Sequence, residues 1–202
     1  MHRQTSLLGV MAFSVGAMAA STAGAAEAKN NNINTYKDWT GSIVTPFGCP
    51  DTTTYGEVIT IPSGVHHLEK FSFWMAGQAS GNQMVVRGEV YAWDGTKATG
   101  SALYESEPRT IAYADTDFHK ETFKSPVLKV KPGSKYIVFA STAKDFEQCT
   151  NNYQVSWAST DDTAYAGGSF AFQNNAGDEN QWTTSPWSVI GIDAAMKATL
   201  SK

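Results

Sequence analysis

Arg87 to Ser106 constrains the fold most, because this short stretch reads as a strand, a turn and a second short strand. From Val86 to Trp93, Val86, Gly88, Val90 and Ala92 share one face, while Arg87, Glu89, Tyr91 and Trp93 share the other. Asp94-Gly95 supplies a turn signal, Gly100 closes the loop, and Ala102 to Tyr104 extends again. No catalytic motif accompanies it: the chain has no Gly-x-Ser-x-Gly elbow, His-Glu-x-x-His, Gly-rich phosphate loop or EF-hand loop.

Similar runs, separated by clusters of Gly, Asp, Asn, Ser and Pro, fall at 41–46, 56–62, 67–75, 84–93, 101–105, 118–124, 126–130, 135–142, 153–158, 168–173 and 187–200. Many short strands with regular turns predict an all-β chain, a single jelly-roll-like antiparallel β-sandwich. In the last run Ile190, Ile192, Ala194, Met196, Ala198 and Leu200 alternate onto one face, which predicts one C-terminal strand. Tyr136 to Ala140 is apolar on both faces, as for a strand covered on both sides. One core is expected to hold Phe71, Phe73, Val90, Val138, Phe139, Phe170, Ile190 and Ile192.

Residues 1–25 carry the parts of a secretory signal peptide: Arg3, the apolar run Leu7 to Ala20, and the small-residue site Ala23-Gly24-Ala25. That run is too short to span a bilayer, which takes ~20 apolar residues, and no later segment is long enough. Residues 26–35, with Asn30-Asn31-Asn32, read as a flexible leader. Residues 36–202 then form the sandwich domain, and the protein is expected to be secreted or periplasmic, with no transmembrane segment in the mature chain. Without Arg3 the chain has 14 basic and 19 acidic residues, a net charge of −5, and no Lys/Arg cluster runs along the sequence. That balance argues against nucleic acid as a partner. Two cysteines, Cys49 and Cys149, are an even count that favours a disulfide in an oxidising compartment.

The order Phe71-Ser-Phe-Trp74, Val90-Tyr-Ala-Trp-Asp-Gly-Thr-Lys-Ala-Thr-Gly100, Tyr136-Ile-Val-Phe139, Gly168-Ser-Phe-Ala-Phe172 and Gln181-Trp182 resembles the jelly-roll-type β-sandwich of bacterial exported proteins. These often carry a C-terminal Pro-Glu-Pro sorting tail. The resemblance spans roughly residues 55 to 200 and implies an extracytoplasmic sandwich with no catalytic residues to carry over. Ala198 to Lys202 lacks the Pro-Glu-Pro motif, so surface sorting by that route is not expected.

His66 and His67 point to opposite faces of an extended chain and cannot share a ligand without a bulge. Asp117, His119 and Glu121 share a face, as a metal or acid/base group would, and as a solvated strand face would too. Asn174 to Asn180 is oxygen-rich with a Gly, so Asp178 and Glu179 are candidates for a structural calcium, although a plain hairpin loop has the same composition. No other cofactor is implied. Trp74, Arg87, Glu89, Tyr91 and Trp93 form the candidate ligand site. Flat rings beside hydrogen-bonding groups suit a sugar, with its apolar C–H face and hydroxyl edges, if strands 67–75 and 84–93 are neighbours. Rings packed onto the sandwich are the competing reading. The function expected is a non-catalytic exported binding or surface/matrix module whose partner is a glycan or extracellular matrix. The alternative is a jelly-roll hydrolase acting on polysaccharide through the loop carboxylates Asp178 or Glu179.

Overall fold

The computed structural model describes residues 32–77 and 82–202, so residues 1–25, expected to be a signal peptide, and residues 26–31 of the expected leader lie outside the described residues. The strands in chain order are β1 (Ile33–Asn34), β2 (Ile43–Gly48), β3 (Thr54–Thr60), β4 (His67–Gly77), β5 (Met84–Trp93), β6 (Ala98–Glu105) and β7 (Arg109–Ile111). They continue with β8 (His119–Lys129), β9 (Lys135–Ser141), β10 (Gln154–Asp161), β11 (Ser169–Gln173), β12 (Ser188–Ile190), β13 (Ile192–Ala194) and β14 (Met196–Ser201). Short helical segments occur at Tyr36–Asp38, Ala143–Gln148 and Gln181–Thr184.

Two seven-stranded antiparallel sheets face each other. The first runs β1-β14-β4-β10-β13, with β2 also on β10 and β8 on β4; the second runs β12-β11-β3-β9-β5-β6, with β7 on β5. The chain crosses repeatedly between them, so β3, β5, β9 and β11 of the second sheet alternate in sequence with β4, β8 and β10 of the first. Facing side chains interdigitate to make the main core, which includes Phe47, Phe71, Phe73, Val90, Phe123, Val138, Trp157 and Phe170. Gly88 belongs to this packing: a Cβ there would sit 2.2 Å from Cγ of Phe123, so the opposite sheet approaches through the space a side chain would take.

A second apolar cluster lies on the outer face of the second sheet. Val58, Tyr91, Ile137, Phe139 and Ala171 are covered there by Ala143, Trp182 and Trp187 from the segments around 143–148 and 181–187. This is why Tyr136 to Ala140 is apolar on both faces: Val138 faces the main core, and Phe139 faces this cover. The Cys49–Cys149 disulfide, spanning 100 residues, ties the end of β2 to the end of helix Ala143–Gln148 and so anchors one piece of the cover.

Three expectations are corrected. Phe139 belongs to the second cluster, not the main core. The 187–200 run is not one strand: β12 joins the second sheet and β13 and β14 the first, leaving Ile190 exposed and Ile192 only partly buried, while Ala194, Met196, Ala198 and Leu200 keep their alternation into the main core. The ordered chain also starts before Tyr36. Ile33 pairs with Ala198, and the Thr35 hydroxyl donates to the Ala194 carbonyl while accepting from Met196 N–H. Thr35 thereby satisfies backbone groups flanking the break at Ala195.

Candidate functional site

The five residues expected to form one platform are divided between opposite outer faces. Trp74 lies on β4 in the first sheet, and Arg87, Glu89, Tyr91 and Trp93 on β5 in the second. Consecutive strands often pair, but here β4 and β5 lie in opposite sheets. Trp74 is buried under Tyr36, with ring centroids 3.7 Å apart and planes within 10°. Tyr36 also contacts Trp39, which meets Phe118 edge-on at 4.7 Å.

On β5, alternation places Arg87, Glu89, Tyr91 and Trp93 outward, but most of that face is covered. Tyr91 is buried between Phe139 at 5.8 Å and Trp182 at 6.0 Å, and its hydroxyl pKa is pushed up to about 12 by burial. Arg87 Nε donates to Asp145 at 2.7 Å and Nη1 to Glu105 at 2.9 Å, fixing β5 against helix Ala143–Gln148. Glu89 is fully buried, neither carboxylate oxygen has a hydrogen-bond donor, and Lys144 Nζ lies 3.5 Å from Oε1. Burial raises the Glu89 pKa to about 8, opposed by the charge of Lys144 and reinforced by that of Glu105. Lys144 also pairs with Glu105 at 2.5 Å and Glu179 at 3.5 Å. Burial works against its charge, but these carboxylates outweigh it and raise its pKa. Glu89, the cross-strand partner of Glu105, presents no surface to a substrate.

Trp93 stays at the rim. Its ring is half-buried, braced edge-on by Trp187 at 5.9 Å, and it walls an open cleft of about 540 Å³. Asp94, Gly95, Lys131, Ser134, Lys135 and Tyr136 also line it, with Ala92 beside Trp93. Two turns build it. Asp94 Oδ1 accepts from the N–H groups of Thr96 and Lys97, which lower its pKa, and Gly95 takes the positive φ, 110°, that this turn needs. Across the cleft, Tyr136 Oη accepts from Lys131 N–H, holding the 131–135 turn.

The remaining candidates are placed as follows. Asp178 accepts from Asn180 N–H and Gln181 Nε2 at the start of helix Gln181–Thr184, and Glu179 pairs with Lys144. Among the described residues no three His, Cys, Asp or Glu side chains are grouped to hold a metal ion. His119 hydrogen-bonds Asp115 at 2.6 Å and stacks on Tyr113, whose hydroxyl donates to Glu121, while Asp117 is exposed. His67 Nδ1 lies 3.0 Å from the Lys202 carbonyl oxygen, and the His66 backbone bonds Ser201 and Val130. Sequence reasoning missed Lys131, Lys135 and Lys144. The first two flank Pro132-Gly133, a turn next to an aromatic, and that signal was readable; Lys144 carried none.

No family model and no curated protein sequence matches the chain. Among solved structures it is similar, with a TM-score of 0.46 and 11% identity, to a crystal structure of the cysteine protease and lectin-like domains of Cwp84, a surface layer associated protein of Clostridium difficile. The match covers 75% of this chain and 32% of that one, so the chain spans about a third of the protein it resembles.

Proposed function

We propose that this protein is a non-catalytic exported binding or surface module on a jelly-roll-like sandwich, and that its ligand is a carbohydrate held in the Trp93 cleft. The observation that carries this is the braced, half-buried Trp93 ring beside an open cleft with Asp94, Lys131, Ser134 and Lys135 around it. A sugar offers an apolar face to such a ring and hydroxyls to the polar rim. The volume lies within the ~300–1,000 Å³ of small-molecule sites. The loop acids considered for hydrolysis are engaged elsewhere, Asp178 in holding a helix start and Glu179 with Lys144, which favours binding over catalysis.

A glycan array read with purified protein, together with a hydrolysis assay on every glycan bound, tests the proposal. Binding without turnover, lost in Trp93→Ala, is expected. Turnover abolished by Glu179→Gln would instead establish the hydrolase.

A further inference from the structure

The outer face of the first sheet collects lysines that are scattered in the sequence. Antiparallel pairing of β14, β4 and β8 sets Thr199, Lys70 and Lys124 in one row, Lys197, Ser72 and Thr122 in the next, and Trp74 beside Lys120 in a third. At the other end His67 pairs with both Ser201 and Lys129. Lys70, Lys120, Lys124 and Lys129 are exposed and Lys197 is half-buried. None of the five forms an ion pair with a carboxylate among the described residues. Glu121 is on β8 but bonds Arg109 and Tyr113 instead, and Glu69 falls in the register irregularity between Leu68 and Lys70 without pairing with any of these lysines. In a chain with a net charge of −4, this places unneutralised positive charge on one outer face, beside the Tyr36 ring that covers Trp74.

Strand geometry gives the face a size of roughly 10 Å across three strands and roughly 20 Å along four rows, the footprint of an extended chain rather than a small ion. The half-buried hydroxyls of Thr122 and Thr199 lie among the lysines, while Ser72 is buried and its hydroxyl bonds that of Thr122. Lys120 and Lys197 also stand over the Trp74 ring, at 5.4 and 5.8 Å from its centroid. We propose that this face binds a polysaccharide carrying regularly spaced anionic groups, uronate or sulfate. Lysine ammonium groups match the anions, and the interleaved hydroxyls match sugar hydroxyls. The proposal does not depend on the Trp93 cleft, which opens on the other sheet.

The test is calorimetric titration with polygalacturonate, dextran sulfate and neutral dextran, with single-stranded DNA and anionic phospholipid vesicles alongside. Wild type is compared with Lys70→Ser/Lys124→Ser and with Trp93→Ala. The double variant should bind the charged polysaccharides about tenfold or more weakly, as expected for losing two cations facing a dense anionic partner. Trp93→Ala should leave that binding unchanged, and rising salt should weaken it. Polygalacturonate binding without dextran sulfate binding assigns a uronate, and the reverse assigns a sulfate. Both substituted lysines are exposed, so an unchanged thermal midpoint verifies folding. No binding to either charged polysaccharide, binding unaffected by the double variant, or tighter binding to DNA or vesicles would overturn the proposal.

Discussion

Glu89 carries the sharpest consequence at the scale of single residues. A carboxyl ordinarily near pKa 4.3 is raised by burial to about 8, so between these values the folded state holds a proton that the unfolded state has released. Stability therefore falls as pH rises through that window. Asp193, raised to about 6 by burial, adds a contribution of the same sign over the lower part of the window. Glu57, whose charge repels that of Asp193, is itself pushed up, chiefly by burial. Glu89→Gln should match wild type near pH 4.5 and exceed it at pH 8 by on the order of a few kcal/mol in denaturant unfolding. A wild-type protein that gains stability over this range relative to the variant would contradict the assignment. Phe73, fully buried in the main core, should lose ~3–5 kcal/mol on truncation to alanine in the same assay.

Among the elements, the disulfide and the cover over the second sheet act together. Cys149 ends helix Ala143–Gln148, which supplies Ala143 to the cover, Asp145 to Arg87 and Lys144 to the three glutamates. Removing the bridge with Cys49→Ser/Cys149→Ser should cost up to ~4.7 kcal/mol in the chain-entropy account of a loop this long. Amide exchange should accelerate first at 143–148, and exchange unchanged there while the sheets loosen would place the bridge's effect elsewhere. The strand and turn pattern made nine strands, β2 to β6 and β8 to β11, readable to within a few residues, including all of β5, because alternation reports local side-chain direction. It did not report which sheet each strand joins, and that ordering separated Trp74 from Tyr91 and Trp93. Nor did it reveal that an outward face is covered, since Trp182 and Trp187 arrive from nearly a hundred residues away. β1 and β7, two and three residues long, were too short to show a period.

Across the whole molecule, charge and aromatics are segregated in ways composition cannot show. The first sheet presents lysines gathered from three strands, the second an apolar cover with buried acids, and Trp93 remains beside an open cleft at the edge of that cover. Cysteine count and the expected oxidising compartment were enough to pair Cys49 with Cys149, since two cysteines allow only one intramolecular bridge. No Lys/Arg cluster runs along the linear sequence, but folding gathers Lys70, Lys120, Lys124, Lys129 and Lys197 on one face. The central claim is that Trp93 serves recognition while Tyr91, its neighbour on the same strand face, serves packing. Thermal unfolding and glycan binding measured side by side on Trp93→Ala and Tyr91→Ala test it most directly. The account predicts that Trp93→Ala stays close to wild-type stability and loses binding to the glycan identified on the array, whereas Tyr91→Ala is destabilised by about 3 kcal/mol or more. A Trp93→Ala protein that unfolds as readily as Tyr91→Ala, or that binds the glycan as wild type does, would contradict it.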